Sequence, residues 1–334
     1  MKAIVISDRH ALLPFAWRLR KEGVETKVVV FRDRFEKAWE GILPKALSGK
    51  EKNREGWDKL IEEAKEPDTL VLTDSRKAQA IFKDAKADAP MVLGSGPSTP
   101  FSDIPAIFLV GWFNGEEAQE PCYIIPDWGA YQGGMGRMVL GGAVLYNPEF
   151  QYGAYPLIPS EVFKEAGFRG IFLVGLKLNT VSKEMEPVGY TTGWPFLATH
   201  LYLSDQPNVG QLLTGEAKPT FAKRFTTGML VSVPPWPVEC NANSRLIRLE
   251  GLAEEDLGSI FFHDMQVLND KEVWTAQLDG LIAVVRGAAQ TPAYSRAKVL
   301  QIATRIRVPE VQYRMDVGGR VDSVLIGLEE VGLL

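Results

Sequence analysis

Between Asp127 and Gly136 the chain reads DWGAYQGGMG, four glycines and one aspartate in ten residues with no helix or strand pattern. Glycine serves where the backbone must take positive φ or come close to a ligand, and it costs chain entropy. Such a run is either a plain surface loop or a shaped binding loop. The other chemistry-bearing residues form no recognisable machinery. His10, His200 and His263 are far apart in sequence, and no pair has metal-ligand spacing. His200 shares a helical face with Phe196, Leu197 and Leu201, which reads as a packed histidine. Cys122 and Cys240 make neither a metal spacing nor a disulfide framework, and no G-x-S-x-G elbow occurs.

The chain that must position this loop has 334 residues, 46% hydrophobic and 24% charged, enough for two or three domains with a real core. A net charge of −5 gives no electrostatic case for a nucleic-acid partner. No apolar run reaches the roughly 18–20 residues of a membrane span. The run Ala3 to Ile6 is too short for a signal-peptide core, so a cytoplasmic location is expected.

Short apolar runs alternate with helical spacing at the start. Strands are expected at 2–7, 26–31, 68–73 and 90–96, with helices at 13–22, 51–65 and 75–86. That alternation indicates βαβ units and a parallel sheet. GSGPSTPFSDIP (94–105) reads as a linker. AIFLVGWF and PCYIIP follow as neighbouring strands joined by NGEEAQE, then the glycine loop, a helix near 160–166 and a strand over 170–179. GYTTGWP (189–195) reads as a loop before a helix at 196–203. Beyond Phe221 the runs are short and strand-like, closed by a helix at 295–306, which indicates a small, mostly antiparallel α+β region.

On its glycine loop the sequence resembles the phosphoribosylamine–glycine ligase family of the ATP-grasp superfamily, which carries D-T-G-P-N-T-G-G-M-G there. Other stretches match in the same order. NGEEA (114–118) is similar to D-G-E-E-A, FRGIFLVGLKLN (168–179) to the strand Y-T-G-F-L-Y-A-G-L-M, and RMDVGGRV (314–321) to R-K-D-I-G-W-R-A. The opening MKAIVIS with Trp17 parallels M-K-V-L-V-I-G…A-L-A-W. The resemblance implies α/β plus α+β architecture in three parts. These are an N-terminal parallel-sheet domain over 1–96, a truncated ATP-grasp-like module over 97–220, and a small β-rich domain over 221–334. In the family the glycine loop lines the phosphoribosylamine and glycine pocket, where backbone amides can meet anions. Carried over residue by residue, this implies ligand binding at Asp127, Gly129, Gly133, Gly134, Met135 and Gly136. Glu116 joins them if the family geometry brings it, with Glu117, to the same pocket.

The departures carry as much meaning as the matches. The family's phosphate loop G-N-G-G-R-E-H is here Ser7 to Leu13, SDRHALL, without the glycines. Arg9 or His10 could meet an anion by side chain, with Asp8 opposing it. Only residues 97–106 stand where the family inserts a lid subdomain that closes over ATP. Charge on transferring phosphates needs cationic clamps and a metal, and the segment supplying them is missing. At PVGYTTGWPF (187–196), Pro187 and Gly189 stand where the family has magnesium ligands, and Glu186 alone makes a poor magnesium site. The adenine hinge E-E-F-L is replaced by Val110, Gly111, Trp112 and Phe113. Trp112, Trp128, Tyr131, Tyr190 and Trp194 fall on or beside the two loops facing the family's active site. They either fill it with core or re-line it to stack a ligand or partner.

A binding protein without ATP chemistry is therefore expected, taking a phosphoribosyl- or nucleotide-like small molecule or a protein partner. It needs no cofactor. ATP and magnesium enter only under the alternative, an active C–N bond-forming ligase of reduced mechanism. Neither a nucleic acid nor a membrane partner is indicated.

Overall fold

The computed structural model describes residues 1–9, 11–84, 91–93, 96–135, 140–146, 155–179, 181–193, 196–221, 225–238, 247–263, 265–268, 272–275 and 280–330. The N-terminal alternation folds as a parallel five-stranded sheet. Its strands are β1 (Lys2–Ser7), β2 (Glu25–Val30), β3 (Lys45–Leu47), β4 (Thr69–Thr73) and β5 (Met91–Leu93), in the order β3-β2-β1-β4-β5. Helices α1 (Leu13–Lys21), α2 (Arg54–Ala64) and α3 (Arg76–Asp84) make the crossovers. A strand with helices on both faces needs apolar side chains at successive positions, and β1 supplies them. Val5 packs with Leu12, Phe15 and Leu19 on one face. Ile4 and Ile6 pack with Trp57, Leu60 and Ile61 on the other. Asn53 caps α2 by accepting from the Gly56 amide.

The rest of the chain builds one large antiparallel sheet. Its strands are β6 (Ile107–Phe113), β7 (Ala118–Trp128), β8 (Leu140–Tyr146), β9 (Gly170–Asn179), β10 (Glu184–Thr192), β11 (Phe225–Ser232), β13 (Ile260–Phe262) and β16 (Leu281–Ala289). The order is β10-β9-β6-β7-β8-β11-β16-β13, so strands from 97–220 and from 221–334 share a single sheet. A small sheet beside it holds β12 (Ile247–Arg248), β14 (Gln266–Leu268) and β15 (Glu272–Thr275). The remaining helices are α4 (Ser160–Glu165), α5 (Phe196–Ser204), α6 (Val209–Thr214), α7 (Pro292–Ala303) and α8 (Val321–Glu330).

Residues 189–192, expected in a loop, are the end of strand β10, paired with β9 from Gly175 to Phe172. Tertiary pairing overrides the turn signal of their glycines and threonines, as it can for weakly patterned strands. The sheet divides two cores. One holds Phe108, Val110, Trp112, Ile171, Leu197, Leu201 and Tyr202 and continues into the N-terminal domain. The other holds Leu109, Phe113, Phe163, Phe168, Phe172 and Leu328. No helix among the described residues is long and apolar enough to cross a membrane.

Candidate functional site

The glycine loop leaves the end of β7 and is tied to the segment 314–318. Asp127 is buried, and its carboxylate accepts the Gly318 amide at 2.6 Å. Burial raises its pKa, against the opposing effects of that amide and of Arg314. Gly129 turns the chain at φ +97°, and a Cβ there would lie 2.5 Å from the Gly134 carbonyl oxygen. No other residue fits that turn. Within the loop, Tyr131 N donates to the Met135 carbonyl at 3.1 Å and Gly134 N to the Tyr131 carbonyl at 3.2 Å.

Arg314 is the brace. Its Nη1 donates to the Trp128 carbonyl at 2.8 Å and, at 3.4 Å, to that of Gly129. Its Nε and Nη2 hold both oxygens of Asp316, at 3.0 and 2.9 Å. Asp316 Oδ2 in turn accepts the Gly133 amide at 2.8 Å. Burial alone would raise the Asp316 pKa, but the bonds from Arg314 and Gly133 outweigh it and leave the carboxyl below its usual range. The two motifs conspicuous in the sequence thus meet, over 127–135 and 314–318, as one clamped unit. Exposed beside it are Tyr131, Met135 and Met315, with Tyr131 Oη donating to the Trp236 carbonyl at 3.3 Å.

Not every candidate residue joins this unit. Gly136, Trp194 and His10 lie outside the described residues. Glu116 is exposed in the turn joining β6 to β7, paired with Lys164 at 2.7 Å. Asp127 stands near the far end of β7 from it, about 30 Å along the strand, so the structure does not bring the two carboxylates to one pocket. Glu117 donates its amide to Asn114 Oδ1 in the same turn. Arg9 follows β1, its guanidinium 5.9 Å from the centre of the Phe35 ring.

The first loop is also held by a residue the sequence did not single out. Asp74, at the end of β4, accepts the Asp8 amide at 2.6 Å and the Ser7 hydroxyl at 2.9 Å. It bridges the carboxyl ends of β1 and β4, where the order of a doubly wound sheet reverses and ligands commonly bind. Desolvation lifts its pKa to about 6 despite those two bonds. An internal carboxylate therefore takes the Asp8 amide, which a phosphate loop would offer to its ligand. Only its pairing with Ser7 and Asp8 marks it, and neither is near in sequence.

Residues 96–106, where a lid would be inserted, hold no helix or strand of their own. They run back along β10. Thr99 and Tyr190 exchange backbone bonds at 2.9 and 3.1 Å, Ser102 N donates to the Val188 carbonyl at 2.8 Å, and Gly96 N to Thr192 Oγ1 at 2.8 Å. Gly189, at φ +147°, faces this crossing so closely that a Cβ would lie 2.8 Å from the Pro100 carbonyl oxygen. Neither Pro187 nor Gly189 presents a donor side chain, and Glu186 is engaged by Asn179 at 2.7 Å and Lys177 at 3.7 Å. Among the described residues no group of three His, Cys, Asp or Glu side chains could hold a metal. Trp112 and Phe113 of the hinge stretch are buried, in opposite cores. Phe113, Phe163, Phe168, Phe172 and Tyr190 pack edge and face at centroid distances of 5.4–6.3 Å. Trp112 is core and Tyr190 packs, partly buried, against the other core; Trp128 is half-buried, with Nε1 donating to the Pro105 carbonyl at 3.2 Å.

The parallel α/β domain and the large antiparallel sheet that follows it have counterparts among solved structures. Among solved structures the chain is similar to phosphoribosylamine–glycine ligase from Thermotoga maritima, at 13% identity and a TM-score of 0.61, over 95% of this chain and 100% of that one. It is similar also to the biotin carboxylase domain of a single-chain bacterial carboxylase, at 9% identity and a TM-score of 0.58, over 99% of each chain. The urea carboxylase of Kluyveromyces lactis matches at 10% and 0.58, over 98% of this chain and 31% of that one. At these identities the likeness is one of fold. No protein-family model matches the chain, and no curated protein does.

Proposed function

We propose that this chain is a binding protein on an ATP-grasp ligase scaffold, with ATP-dependent ligation lost and the glycine-loop face kept for recognition. The observation that carries this reading is the course of the linker. In place of a lid, 96–106 lies along β10 over the two positions where the ligase family holds magnesium, and it needs Gly189 to do so. Those positions offer no side-chain oxygen, whereas magnesium is ordinarily held through one or two carboxylates with water completing its octahedron. The ligand is a phosphoribosyl- or nucleotide-like molecule or a protein partner, bound without a cofactor in the cytoplasm.

The test is direct. Purified protein is incubated with magnesium-ATP, phosphoribosylamine and glycine, and ADP and amide product are measured. No product above background is expected. Turnover approaching the ordinary enzyme range, about 1–1000 per second, would establish the alternative of an active ligase with altered machinery. Thermal shifts with nucleotides, sugar phosphates and glycine then separate a small ligand from a macromolecular one.

A further inference from the structure

We propose that Lys45 is a nucleophilic amine, a site of N-acylation by small activated acids of the acyl phosphate class. It opens β3, the edge strand of the parallel sheet, and takes no part in the glycine-loop site.

The strand itself turns the side chain inward. Val28 pairs with Lys45 and Val29 with Leu47, so Ala46 is an extra residue in the ladder. That bulge leaves Leu47 with Val29 in one core and sets Lys45 beside Val28, which belongs to the other. There Lys45 meets the stretch 35–43, whose Phe35, Ala38 and Leu43 are buried. Its Nζ donates to the Ala38 carbonyl at 2.9 Å.

The charges beside this amine are shared unequally. Lys52, with 12% of its side chain exposed, bonds Asp33 at 2.9 Å and Glu36 at 3.4 Å, which fixes its ammonium as a cation. Glu36 also accepts the Gly49 amide at 2.7 Å. Lys45 is anchored two residues from Glu36, on a neutral carbonyl, and among the described residues it forms no ion pair. Glu40, the other acid of the stretch, is exposed. A half-buried ammonium on a neutral acceptor, next to a second cation, is the setting in which lysine gives up its proton and becomes a nucleophile. Burial, with Lys52, draws the Lys45 pKa down to about 8 against the opposing pull of Glu36 and Glu40.

In the step itself the neutral amine attacks the acyl carbon. The N–C bond forms, the C–O bond to phosphate breaks, phosphate leaves with the electron pair, and the amine's proton passes to solvent. The amide product keeps an N–H for the Ala38 carbonyl. Ala38 precedes Trp39, whose amide donates to the Met265 carbonyl and whose indole donates to that of His263, so the change falls where the parallel-sheet domain meets the large sheet.

The experiment treats the folded full chain with acetyl phosphate between pH 7 and 10 and follows the initial rate of acetylation at each lysine by mass spectrometry. Lys59, 76% exposed and paired with Glu55 at 2.8 Å, is the internal comparison. At pH 7.5 about one Lys45 amine in four is neutral, against about one in a thousand for an ordinary lysine. Half-burial slows approach, so Lys45 is expected to react about tenfold faster than Lys59 or more, with a pH profile centred near 8. Lys52→Met removes the neighbouring cation and frees Glu36, which should move that profile up by about one pH unit, whereas Lys52→Arg should leave it in place. Three results overturn the proposal: Lys45 acetylated no faster than Lys59 at pH 7.5, a profile centred near that of an ordinary lysine, or a profile that Lys52→Met does not move. None of them bears on the glycine-loop reading.

Discussion

Replacing Arg314 by methionine keeps the reach of the side chain and deletes the guanidinium that joins 314–318 to the glycine loop. The loss has two parts. The Trp128 carbonyl, half-buried, forfeits its 2.8 Å donor, which costs about 1–2 kcal/mol. The bidentate pair with Asp316 is also broken. A third of the Asp316 side chain is exposed, so solvent screening reduces the pair to about 1 kcal/mol. The sum is about 2–3 kcal/mol. Urea unfolding followed by tryptophan fluorescence measures it, and with a slope of about 3 kcal/mol per molar or more the midpoint falls by somewhat under ~1 M. A double-mutant cycle with Asp316→Asn isolates the pair, with a coupling of about 1 kcal/mol expected. Proteolysis within 127–135 should accelerate in parallel. If Arg314→Met costs less than about 0.5 kcal/mol, or the two substitutions are simply additive, the clamp does not hold the loop and the argument for a preserved face fails.

Three further outcomes follow from contacts elsewhere. Gly189→Ala puts a Cβ within 2.8–2.9 Å of the Thr99 and Pro100 carbonyl oxygens at a φ of +147°; a loss of about 2 kcal/mol or more, with faster cleavage across 97–105, is expected, and a change under about 0.5 kcal/mol would contradict the crossing. Asp74 has a folded-state pKa of about 6, above its unfolded value, so the folded state holds the proton more tightly and stability falls as pH rises from about 4 to 6. Asp74→Asn should therefore stabilise the protein by roughly 1–2 kcal/mol at pH 7.5 but not at pH 4, flattening the profile of thermal midpoint against pH. Tyr202→Phe removes the buried oxygen that accepts the Trp112 amide at 3.1 Å and reaches the Gln119 carbonyl at 3.2 Å; the stranded amide should cost about 1–3 kcal/mol by denaturant titration.

Strongly patterned elements were legible in the sequence. β1, β2, β4 and α1 to α3 fall within a few residues of their expected ranges because each is apolar on the spacing its element demands. β10 was missed because EMEPVGYTT carries turn residues, and only its neighbours β9 and 96–106 make it a strand. α8 was hidden for a related reason: its side chains meet a core assembled from distant strands. In the candidate site the glycine loop was visible, but its partner was not. RMDVGGRV could be read as a match to a family stretch, whereas the bonds from Arg314 to Trp128 and from Asp127 to Gly318 span more than 180 residues. Glu116 shows the converse error, since closeness in sequence to the loop says nothing once most of strand β7 runs between them.

The clamp also bears on which kind of ligand suits the loop face. A loop that receives an anion needs backbone amides pointing outward and unspent. Among the described residues of the loop, the Gly133 amide is given to Asp316, whose charge is in turn held by Arg314, and the Gly134 amide to the Tyr131 carbonyl. A phosphate or carboxylate ligand would have to displace an internal carboxylate that is already paired, and Asp127 and Asp316 would both repel it. What the face does present is apolar: Met135 and Met315 are well exposed and Tyr131 partly so. Methionine adapts its shape to different surfaces and tyrosine brings large area at low entropic cost, which is the composition of protein-binding patches. Under the proposed binding role, these side chains suit a macromolecular partner better than a small anion. Met135→Asp together with Met315→Asp should then abolish capture of that partner while leaving the urea midpoint unchanged, because neither side chain is buried.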